Sequence, residues 1–526
     1  MKNGTSHSHD LDPSKFVTSP WAVAIQQTGE GATIPTYPCL DGMKVTIVIP
    51  DDYYRKKLMP LGPGYVTTAM KRCGIEVSML DCSAWSYDDI EIAQAVIQSD
   101  VQIYAIGALY PMIREVERVC NIIKALKPNS TIILGGSLPS PIPEFALRQT
   151  GADIATIGEA EITIPVLMAA LAGNGNLADV RGIAYLDDGQ FVDNGKPILP
   201  RRATKEEVGW PDREIYPVER YIQAPKFYPF QQTDRILPIV TGRGCPYSCN
   251  FCFRVNSYRI RPFDDLFEEM EYLIDRYRLN GFYIVDDLLM NSEKKITEFC
   301  EGVIDRGLNI KYNCTGRVNT VTPKIAKLLS ASGCNSIYYG LEAGNQEILE
   351  TMSKKTTLEQ IYEAVRLTRE NDIFCSYGVM FGQPGETEET LRDSVDLLKK
   401  ISYGGYRASK IFGCIPFPGT GLYDWCKETG RIKDDADFYN RYICQDWSLD
   451  QIPINMTDIP DDKVNVLFKE ANADLSNFYM EKMTSDWATH FGSAECTPEG
   501  TQSGVMAHIA DRIEATENTF DTSGRS

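Results

Sequence analysis

The chain has 526 residues, of which 43% are apolar and 24% are charged, and its formal net charge is −19. These values are typical of a globular protein with two or three domains, and they argue against nucleic acid as the main partner because phosphate binding requires a basic surface. No apolar run approaches the ~20 residues of a membrane-spanning helix, and fifteen scattered cysteines favour a reducing compartment, so we predict a cytoplasmic protein without a membrane span.

Residues 1–42 are polar and are predicted to form an N-terminal arm. Residues 43–173 then alternate short apolar runs with stretches of helical periodicity. The predicted strands are 45–49, 75–80, 101–106, 131–134 and 154–157, and the predicted helices include 65–73, 113–126 and 162–171. Such alternation predicts an α/β fold with a doubly wound parallel sheet, that is, a Rossmann-like domain.

Glycine-containing turns follow the predicted strands of this first domain. The fourth strand ends in Gly135, Gly136 and Ser137, and the fifth ends in Gly158 and Glu159. Ligands of open parallel sheets bind beyond the carboxyl ends of the strands, and glycine lets the backbone approach a bulky ligand closely. These turns predict a ligand site, although a domain that binds nothing and packs on its neighbour would show the same alternation. Residues 174–234 are predicted to be a connector that packs across both domains.

A short cysteine-rich loop follows the next predicted strand. Its cysteines have C-x3-C-x2-C spacing and are Cys245, Cys249 and Cys252. Three thiolates on one tight loop can hold three irons of a cubane cluster, which leaves the fourth iron free to bind a small molecule and pass it an electron. A structural zinc site would require a fourth Cys or His nearby, whereas the next cysteine is Cys300 and no histidine occurs between residues 9 and 490.

The cysteine loop, with Phe251 directly before its last cysteine, resembles that of the radical S-adenosylmethionine (SAM) superfamily. The resemblance implies a 4Fe–4S cluster whose open iron chelates the amino and carboxylate groups of SAM. It further implies that reductive cleavage of SAM yields a 5′-deoxyadenosyl radical, which abstracts hydrogen from a substrate. An external electron donor such as flavodoxin or ferredoxin is then an expected partner.

Strand and helix patterns resume over residues 235–420. The predicted strands are 236–240, 281–285, 310–314, 337–340, 375–381 and 408–414, with helical patterns between them. Six β/α units predict an open, partial barrel, in which the working groups gather at the carboxyl ends of the strands. The candidate residues at those ends are Asp286, Asp287, Arg317, Glu342 and Gly382.

The charge pattern of SAM suggests a role for each of these residues. Arg317 can grip the SAM carboxylate in a bidentate manner. Asp286 or Asp287 could accept hydrogen bonds from the ammonium or the ribose, and Glu342 could make either of the same contacts. Gly382 resembles the glycine of the strand segment that lies beside the adenine in this superfamily. The Gly-Gly-Glu motif of other members does not occur, which leaves the ammonium contact open, and solvated loop residues are the alternative interpretation.

A Rossmann-like domain ahead of such a loop resembles the cobalamin-binding domain of cobalamin-dependent radical SAM enzymes. The resemblance implies cobalamin contacts from Gly135, Gly136, Ser137, Gly158 and Glu159. The chain lacks the Asp-x-His-x-x-Gly motif of other cobalamin proteins, so cobalamin would have no histidine lower ligand from this domain. Residues 421–494 are predicted to form a helical C-terminal cap that closes the barrel mouth, with a simple packing role for the aromatics of this section as the alternative. Residues 495–526 are predicted to be a disordered tail.

The resemblance implies a cobalamin-dependent radical SAM enzyme that uses a 4Fe–4S cluster, SAM and cobalamin. The commonest reaction of this class is methylation of an unactivated carbon, here in a small-molecule or natural-product intermediate. Radical oxidation, cyclisation or ring contraction without methyl transfer is the alternative among enzymes. A non-catalytic iron–sulfur electron relay and a zinc-binding scaffold are the alternatives from other classes.

Overall fold

The computed structural model describes residues 39–52, 57–254, 257–402, 410–443 and 451–491. The predicted N-terminal arm up to residue 38 and the predicted tail lie outside the described residues. Within the described ranges, every helix is too short or too polar to cross a lipid bilayer.

The first domain is built on a sheet of seven strands. These are β1 (Lys44–Ile49), β2 (Glu76–Asp81), β3 (Ile103–Gly107), β4 (Thr131–Gly135), β5 (Ile154–Thr156), β6 (Ile183–Asp187) and β7 (Gln190–Asp193). Their spatial order is β2-β1-β3-β4-β5-β6-β7, and all pairs up to β5 are parallel. The strand order reverses between β1 and β3, which opens a crevice at the carboxyl ends of these strands. The predicted doubly wound sheet is confirmed.

Helices of the first domain connect the parallel strands. They are α1 (Leu61–Arg72), α2 (Cys82–Trp85), α3 (Asp89–Gln98), α4 (Ile113–Leu126), α5 (Pro143–Thr150) and α6 (Thr163–Leu171). The antiparallel pair β6 and β7 then continues the sheet as far as Asp193. The predicted domain boundary at residue 173 therefore falls inside this sheet, because a hairpin adds to its edge.

The second domain holds six parallel strands, and a small hairpin follows the first of them. The strands are β8 (Ile236–Ile239), β9 (Gly242–Arg243), β10 (Arg259–Ile260), β11 (Gly281–Ile284), β12 (Lys311–Gly316), β13 (Cys334–Glu342), β14 (Phe374–Phe381) and β15 (Ile411–Gly413). The large sheet has the order β15-β14-β13-β12-β11-β8, and β9 pairs with β10 in antiparallel fashion. This sheet is the predicted partial barrel.

Helices pack on the outer face of the barrel sheet. After α7 (Val218–Gln223) they are α8 (Phe263–Tyr277), α9 (Glu293–Asp305), α10 (Pro323–Ala331), α11 (Gln346–Thr351), α12 (Leu358–Glu370) and α13 (Glu388–Ile401). Side-chain oxygens of Ser292, Thr322, Thr357 and Thr387 accept N-terminal backbone hydrogen bonds, which fixes the start of α9, α10, α12 and α13. Each of these capping residues therefore marks where the loop after a strand ends and the next of these helices begins.

The two faces of the barrel sheet differ in what they contact. Tyr339 is buried on the outer face, where its hydroxyl lies 2.8 Å from that of Thr368 in α12. Tyr312 packs on the same face, with its ring centroid 5.3 Å from that of Phe299 in α9. Because side chains alternate along a strand, the residues next to these tyrosines on their own strands, such as Tyr338, point into the barrel lumen.

The C-terminal section divides between the two domains. It contains α14 (Gly421–Glu428), α15 (Asp435–Phe438) and α16 (Asp461–Phe491). The ring centroid of Phe438 is 5.7 Å from that of Tyr110 in the first domain, whereas Phe468 stacks on Phe381 of β14 at 6.3 Å. The section thus adds to the cores of both domains, in line with the packing role that was the alternative to a cap.

Candidate functional site

The cysteine loop begins beyond the carboxyl end of β8 and is held from two sides. Asn250, at its centre, donates its backbone N–H to the carbonyl of Met352 at 3.2 Å and its side-chain amide to the carbonyl of Thr351 at 3.2 Å. The carbonyl of Asn250 accepts a hydrogen bond from the N–H of Leu422 at 3.1 Å. The loop is therefore fixed between the end of α11 and the start of α14.

The three thiols lie near enough to influence one another. Cys249 is buried, Cys245 is half-buried and Cys252 is exposed. Burial, together with the neighbouring Cys249, raises the pKa of Cys245 and brings that of Cys252 to about 12. Cys252 is thus accessible to solvent although protein surrounds its thiol.

The number of thiols on the loop bears on the kind of metal site that it can form. Among the described residues, no group of three or more His, Cys, Asp or Glu side chains could hold one metal ion. In a cubane cluster each thiolate binds a different iron, so the sulfurs stand further apart than around one ion. Three thiols on one loop provide the donor set for such a cluster, and its assembly would release their protons.

Arg317, directly after β12, contacts the cysteine loop. Its guanidinium carbon lies 3.7 Å from the ring centroid of Tyr247, and one Nη is 3.9 Å from Sγ of Cys249. The other Nη donates to the carbonyl of Lys354. Nε of Arg317 has no hydrogen-bond partner among the described residues. The buried guanidinium therefore keeps a donor for a ligand beside the loop.

Glu342 ends β13 at an irregularity of the strand pairing with β14. Its φ is +71°, in the left-handed region that non-glycine residues rarely adopt. Oε1 accepts a hydrogen bond from Nζ of Lys354 at 2.5 Å, and both side chains are buried. Backbone strain of this kind is concentrated at functional sites. Lys354, which was not among the predicted site residues, supplies the countercharge.

The two aspartates after β11 lie in different surroundings. Asp286 is buried, where it accepts hydrogen bonds from the backbone and hydroxyl of Thr241 and lies 3.3 Å from Nζ of Lys295. The side chain of Asp287 reaches solvent. The protein around its carboxyl group nevertheless reduces its hydration, and this effect together with the charge of Asp286 raises its pKa. The carboxylate of Asp286 therefore joins β8 to α9, whereas that of Asp287 accepts a hydrogen bond from the backbone of Gly244 at the start of the cysteine loop.

The loop after β14 is organised by its own glutamate. The backbone N–H groups of Gly382 and Gln383 donate to Oε2 of Glu386 at 2.6 and 2.7 Å. Gly382 has a φ of +116°, a conformation that requires glycine. Burial raises the pKa of Glu386 to about 8, against the lowering effect of these hydrogen bonds. Gly382 thus shapes a loop at the same edge as Arg317.

The barrel lumen below this edge contains an accessible phenol. Thr315, Tyr338 and Ser376 lie side by side on β12, β13 and β14. Tyr338 as a whole is 45% exposed. The protein around its hydroxyl group, together with the nearby Glu342, raises the pKa of the phenol. A Cβ added at Gly378 would lie 2.1 Å from the Tyr338 hydroxyl, so this glycine provides the space that the hydroxyl occupies.

The carboxyl edge of the first sheet is shaped by close backbone contacts. Gly136 has a φ of +89°, and a Cβ at this position would lie 2.5 Å from the carbonyl oxygen of Ala108. The hydroxyl of Ser140 donates to the carbonyl of Gly136 at 2.8 Å and accepts from the N–H of Gly158 at 3.0 Å. Ser140, which was not predicted, therefore joins the two glycine turns.

The same edge offers a surface that suits a flat macrocycle. Gly136 is exposed, Ser137 is half-buried, and Leu109 presents an apolar side chain that is 60% exposed. Glu159 is instead buried, because it accepts hydrogen bonds from Arg243 and Arg259 of the second domain. Backbone and apolar groups, and not the Glu159 carboxylate, thus form the open part of this edge.

The carboxyl edges of the two sheets lie close to each other. Gly419, in the turn after β15, is packed so tightly that an added Cβ would lie 2.5 Å from the ring of Phe253 and 2.8 Å from Pro141. Phe253 follows the last cysteine of the loop, and Pro141 belongs to the first domain. The cysteine loop and the glycine turns are therefore parts of one interdomain region.

Comparison with known families identifies both domains. The model of the radical SAM superfamily matches residues 239–398, and the model of the B12 binding domain matches residues 53–168. An uncharacterized methyltransferase of Pyrococcus horikoshii is 26% identical over 396 residues, which cover 73% of this chain and 83% of that protein. An anaerobic magnesium-protoporphyrin IX monomethyl ester cyclase of Cereibacter sphaeroides is 28% identical over 348 residues. The matched region covers 64% of this chain and 55% of the cyclase.

A solved structure shares the fold of the whole two-domain unit. The cobalamin-dependent SAM radical enzyme OxsB, with aqua-cobalamin and S-adenosylmethionine bound, superimposes with a TM-score of 0.66 at 17% identity, over 90% of this chain and 75% of OxsB. The order of the two domains, the three-thiol loop and the glycine-lined edge agree with a protein that uses a 4Fe–4S cluster, SAM and cobalamin. The chain thus carries a B12 binding domain ahead of a radical SAM domain, which is the domain order of cobalamin-dependent radical SAM enzymes.

Proposed function

We propose that this protein is a cobalamin-dependent radical SAM methyltransferase that methylates an unactivated carbon of a small molecule. The observation that carries the proposal is that the cysteine loop and the carboxyl edge of the first sheet pack on the same turn, where Phe253 and Pro141 both lie against Gly419. A methyl transfer that uses both SAM and cobalamin requires the two cofactors to face one substrate. Facing edges of the two sheets satisfy that requirement.

The cluster and SAM would be held at the edge of the barrel. Cys245, Cys249 and Cys252 are the proposed iron ligands, with Phe251 packed between the two domain cores. Arg317 has an unpartnered donor beside the loop and is the proposed contact for the SAM carboxylate. Asp287 is assigned the ammonium contact in preference to Asp286, because the Asp286 carboxylate is already bound by Thr241 and Lys295.

The remaining contacts with SAM follow from position and charge. Glu342 lies next to the cysteine loop and is paired with Lys354, so it offers one further oxygen to the ribose or the ammonium. Gly382 lies in the loop after β14 and is the proposed neighbour of the adenine. Cobalamin would lie against Gly135, Gly136, Ser137 and Gly158 at the other edge.

The cofactors would together supply a hydrogen-abstracting 5′-deoxyadenosyl radical and a transferable methyl group. The residues of this chain bind and orient the cofactors and exclude bulk water from the space between them. The substrate is proposed to enter the lumen above Thr315, Tyr338 and Ser376, where hydroxyl groups and the 41% exposed Val285 provide hydrogen bonds and apolar contact. This lining favours a substrate with an uncharged polar group beside an apolar part.

Radical cyclisation or oxidation without methyl transfer is the second candidate. It is favoured by the similarity to the magnesium-protoporphyrin ester cyclase, which is 28% identical over 348 residues, against 26% over 396 residues for the methyltransferase relative. The two candidates share the cluster, SAM and cobalamin, and they differ in the fate of the SAM methyl group.

Nucleoside analysis separates the candidates without knowledge of the substrate. The reconstituted protein is incubated without oxygen with SAM, cobalamin and a strong reductant, and nucleosides are quantified. Methyl transfer predicts both 5′-deoxyadenosine and S-adenosylhomocysteine. Deoxyadenosine alone would contradict the methyltransferase assignment in favour of the second candidate, and the lack of both products would contradict radical SAM chemistry. Addition of a metabolite extract with CD3-labelled SAM then identifies the product by its label.

A further inference from the structure

The hairpin at the base of the cysteine loop is bound to the first domain by ion pairs. Arg243 of β9, two residues before Cys245, donates to Glu159 and, at 2.6 Å, to Glu161. Arg259 of β10, on the other side of the loop, also donates to Glu159. We name Glu159, Glu161, Arg243 and Arg259 the interdomain clamp. Its two arginines flank the segment that carries the three thiols, so both ends of that segment are bound to the first domain.

Burial and charge make the clamp a strong constraint. The four side chains are between 5% and 12% exposed, and their formal charges cancel. Burial opposes ionisation of Glu161, but the charge of Arg243 and its hydrogen bond outweigh that effect and lower the pKa of Glu161. Because the four side chains pair within 4 Å of one another in a buried site, loss of one partner leaves an uncompensated buried charge.

The clamp acts on a rigid support. A Cβ on Gly242 would lie 2.6 Å from the carbonyl oxygen of Arg259, so the two strands of the hairpin are in close contact. Behind the hairpin, Glu269 of α8 is bound by Arg261 and by Arg213 of the connector, and all three side chains are at most 4% exposed. The hairpin is thus tied to the barrel on one side and to the first domain on the other.

The position of the clamp relates it to both cofactor sites. Glu159 directly follows Gly158 of the glycine turns, and Arg243 precedes the first cysteine by two residues. The guanidinium carbon of Arg243 also lies 4.6 Å from the ring centroid of Tyr65 in α1 of the first domain.

We infer that the interdomain clamp is a positioning device that sets the cluster loop in register with the cobalamin domain. The inference rests on the proposed function for its catalytic consequence. Cleavage of SAM to deoxyadenosine needs only the barrel, whereas methyl transfer needs SAM to reach both domains. Loosening of the clamp therefore lowers methyl transfer more than cleavage. Glu159, which accepts from two arginines, matters more than Glu161, which accepts from one.

The first test uses the full-length protein without cofactors. Hydrogen exchange is compared for the wild type, Glu159→Gln, Glu161→Gln and the control Glu144→Gln, whose surface pair with Arg148 lies within α5. We expect amides of β9 and β10 to exchange about tenfold faster in Glu159→Gln, the effect of one lost charge-assisted hydrogen bond, with a smaller rise in Glu161→Gln. Amides of α4 and the control should match the wild type. Unchanged exchange of the hairpin in Glu159→Gln would overturn the inference.

The second test uses the reconstituted enzyme and compares two products. The ratio of S-adenosylhomocysteine to deoxyadenosine is expected to fall about tenfold in Glu159→Gln and less in Glu161→Gln, but not in Glu144→Gln. A ratio equal to that of the wild type would refute the positioning role. If the wild type forms no S-adenosylhomocysteine, the proposed function fails, while the exchange experiment still decides whether the clamp exists. If Glu159→Gln does not fold, Arg259→Lys, which keeps the charge, takes its place in both tests.

Discussion

The carboxyl edges of the two sheets use different chemistry. The barrel edge is lined by charged side chains that are buried and paired, such as Arg317 beside Cys249 and Glu342 with Lys354. The glycine turns of the first sheet instead present backbone and the apolar Leu109, and the nearby carboxylate of Glu159 is bound by the other domain. Asp51 and Asp52, which follow β1 at the same edge, are paired with Lys57. The difference agrees with the two ligands that we propose, a small charged one at the barrel edge and a large one beside the glycine turns.

Loss of one of the three cysteines should have the largest effect, because the iron–sulfur cluster would no longer assemble in the barrel. Cys249→Ala is expected to leave two thiols and to abolish both the absorbance of the iron–sulfur cluster and deoxyadenosine formation. Cys39→Ser, at an exposed cysteine outside the site, is the control and should match the wild type. A Cys249→Ala protein with full iron content would contradict the assignment of the loop.

Arg317→Lys should weaken SAM binding about 10- to 100-fold, because lysine does not reproduce a bidentate grip and its donors differ in geometry. The cluster itself should still assemble, since the three thiols remain. Isothermal titration of the cluster-loaded protein with SAM measures the change. Arg366→Lys, in an exposed surface pair, controls for loss of a guanidinium and should bind SAM as the wild type does. Equal affinity in both variants would remove Arg317 from the SAM site.

Gly136→Ala should distort the backbone at the carboxyl edge of the first sheet through steric overlap, without any change of charge. The new methyl group would meet the Ala108 carbonyl, and a positive φ adds strain of ~1–2 kcal/mol. Gly151→Ala has a similar φ of +71° with open space around its Cβ, so it isolates the strain. We expect Gly136→Ala to be the less stable of the two in chemical denaturation and to bind cobalamin more weakly. Equal stability would show that close contact at this turn is unimportant.

Glu386→Gln should change how stability depends on pH. The folded-state pKa of Glu386 is raised to about 8 from the ordinary 4.5, so the folded protein binds this proton more tightly than the unfolded chain. Stability from this group is therefore full below 4.5 and falls by about 1.4 kcal/mol per pH unit as the pH rises toward 8. Gln mimics the protonated acid, so the variant should lose less stability than the wild type between pH 5.5 and 7.5, measured by urea denaturation. Parallel curves would contradict the buried, protonated state.

The sequence predicted the elements of both sheets because their signals are local. Apolar runs marked β1 to β5 and the barrel strands, and cysteine spacing marked the cluster loop. The short helices α2, α3 and α5 were missed, since polar residues dilute their periodicity. The hairpin of β6 and β7 had a usable signal, because Asp188-Gly189 is a favoured two-residue turn and both residues have positive φ.

Site residues were harder to predict where partners are distant along the chain. Asp286 and Asp287 are adjacent, yet one faces Thr241 and Lys295 while the other faces the loop, and no local pattern separates them. Glu159 was predicted to contact cobalamin, whereas its partner Arg243 lies 84 residues away in another domain. Roles that depend on such contacts follow only from the folded arrangement.

The most direct test of the account is electron paramagnetic resonance of the reduced, cluster-loaded protein with and without SAM. A cluster held by three thiolates has one iron open to SAM, so addition of SAM is predicted to shift the g values of the reduced cluster. An unchanged spectrum in a protein with a full complement of iron would mean that no iron is open, and it would contradict the central claim.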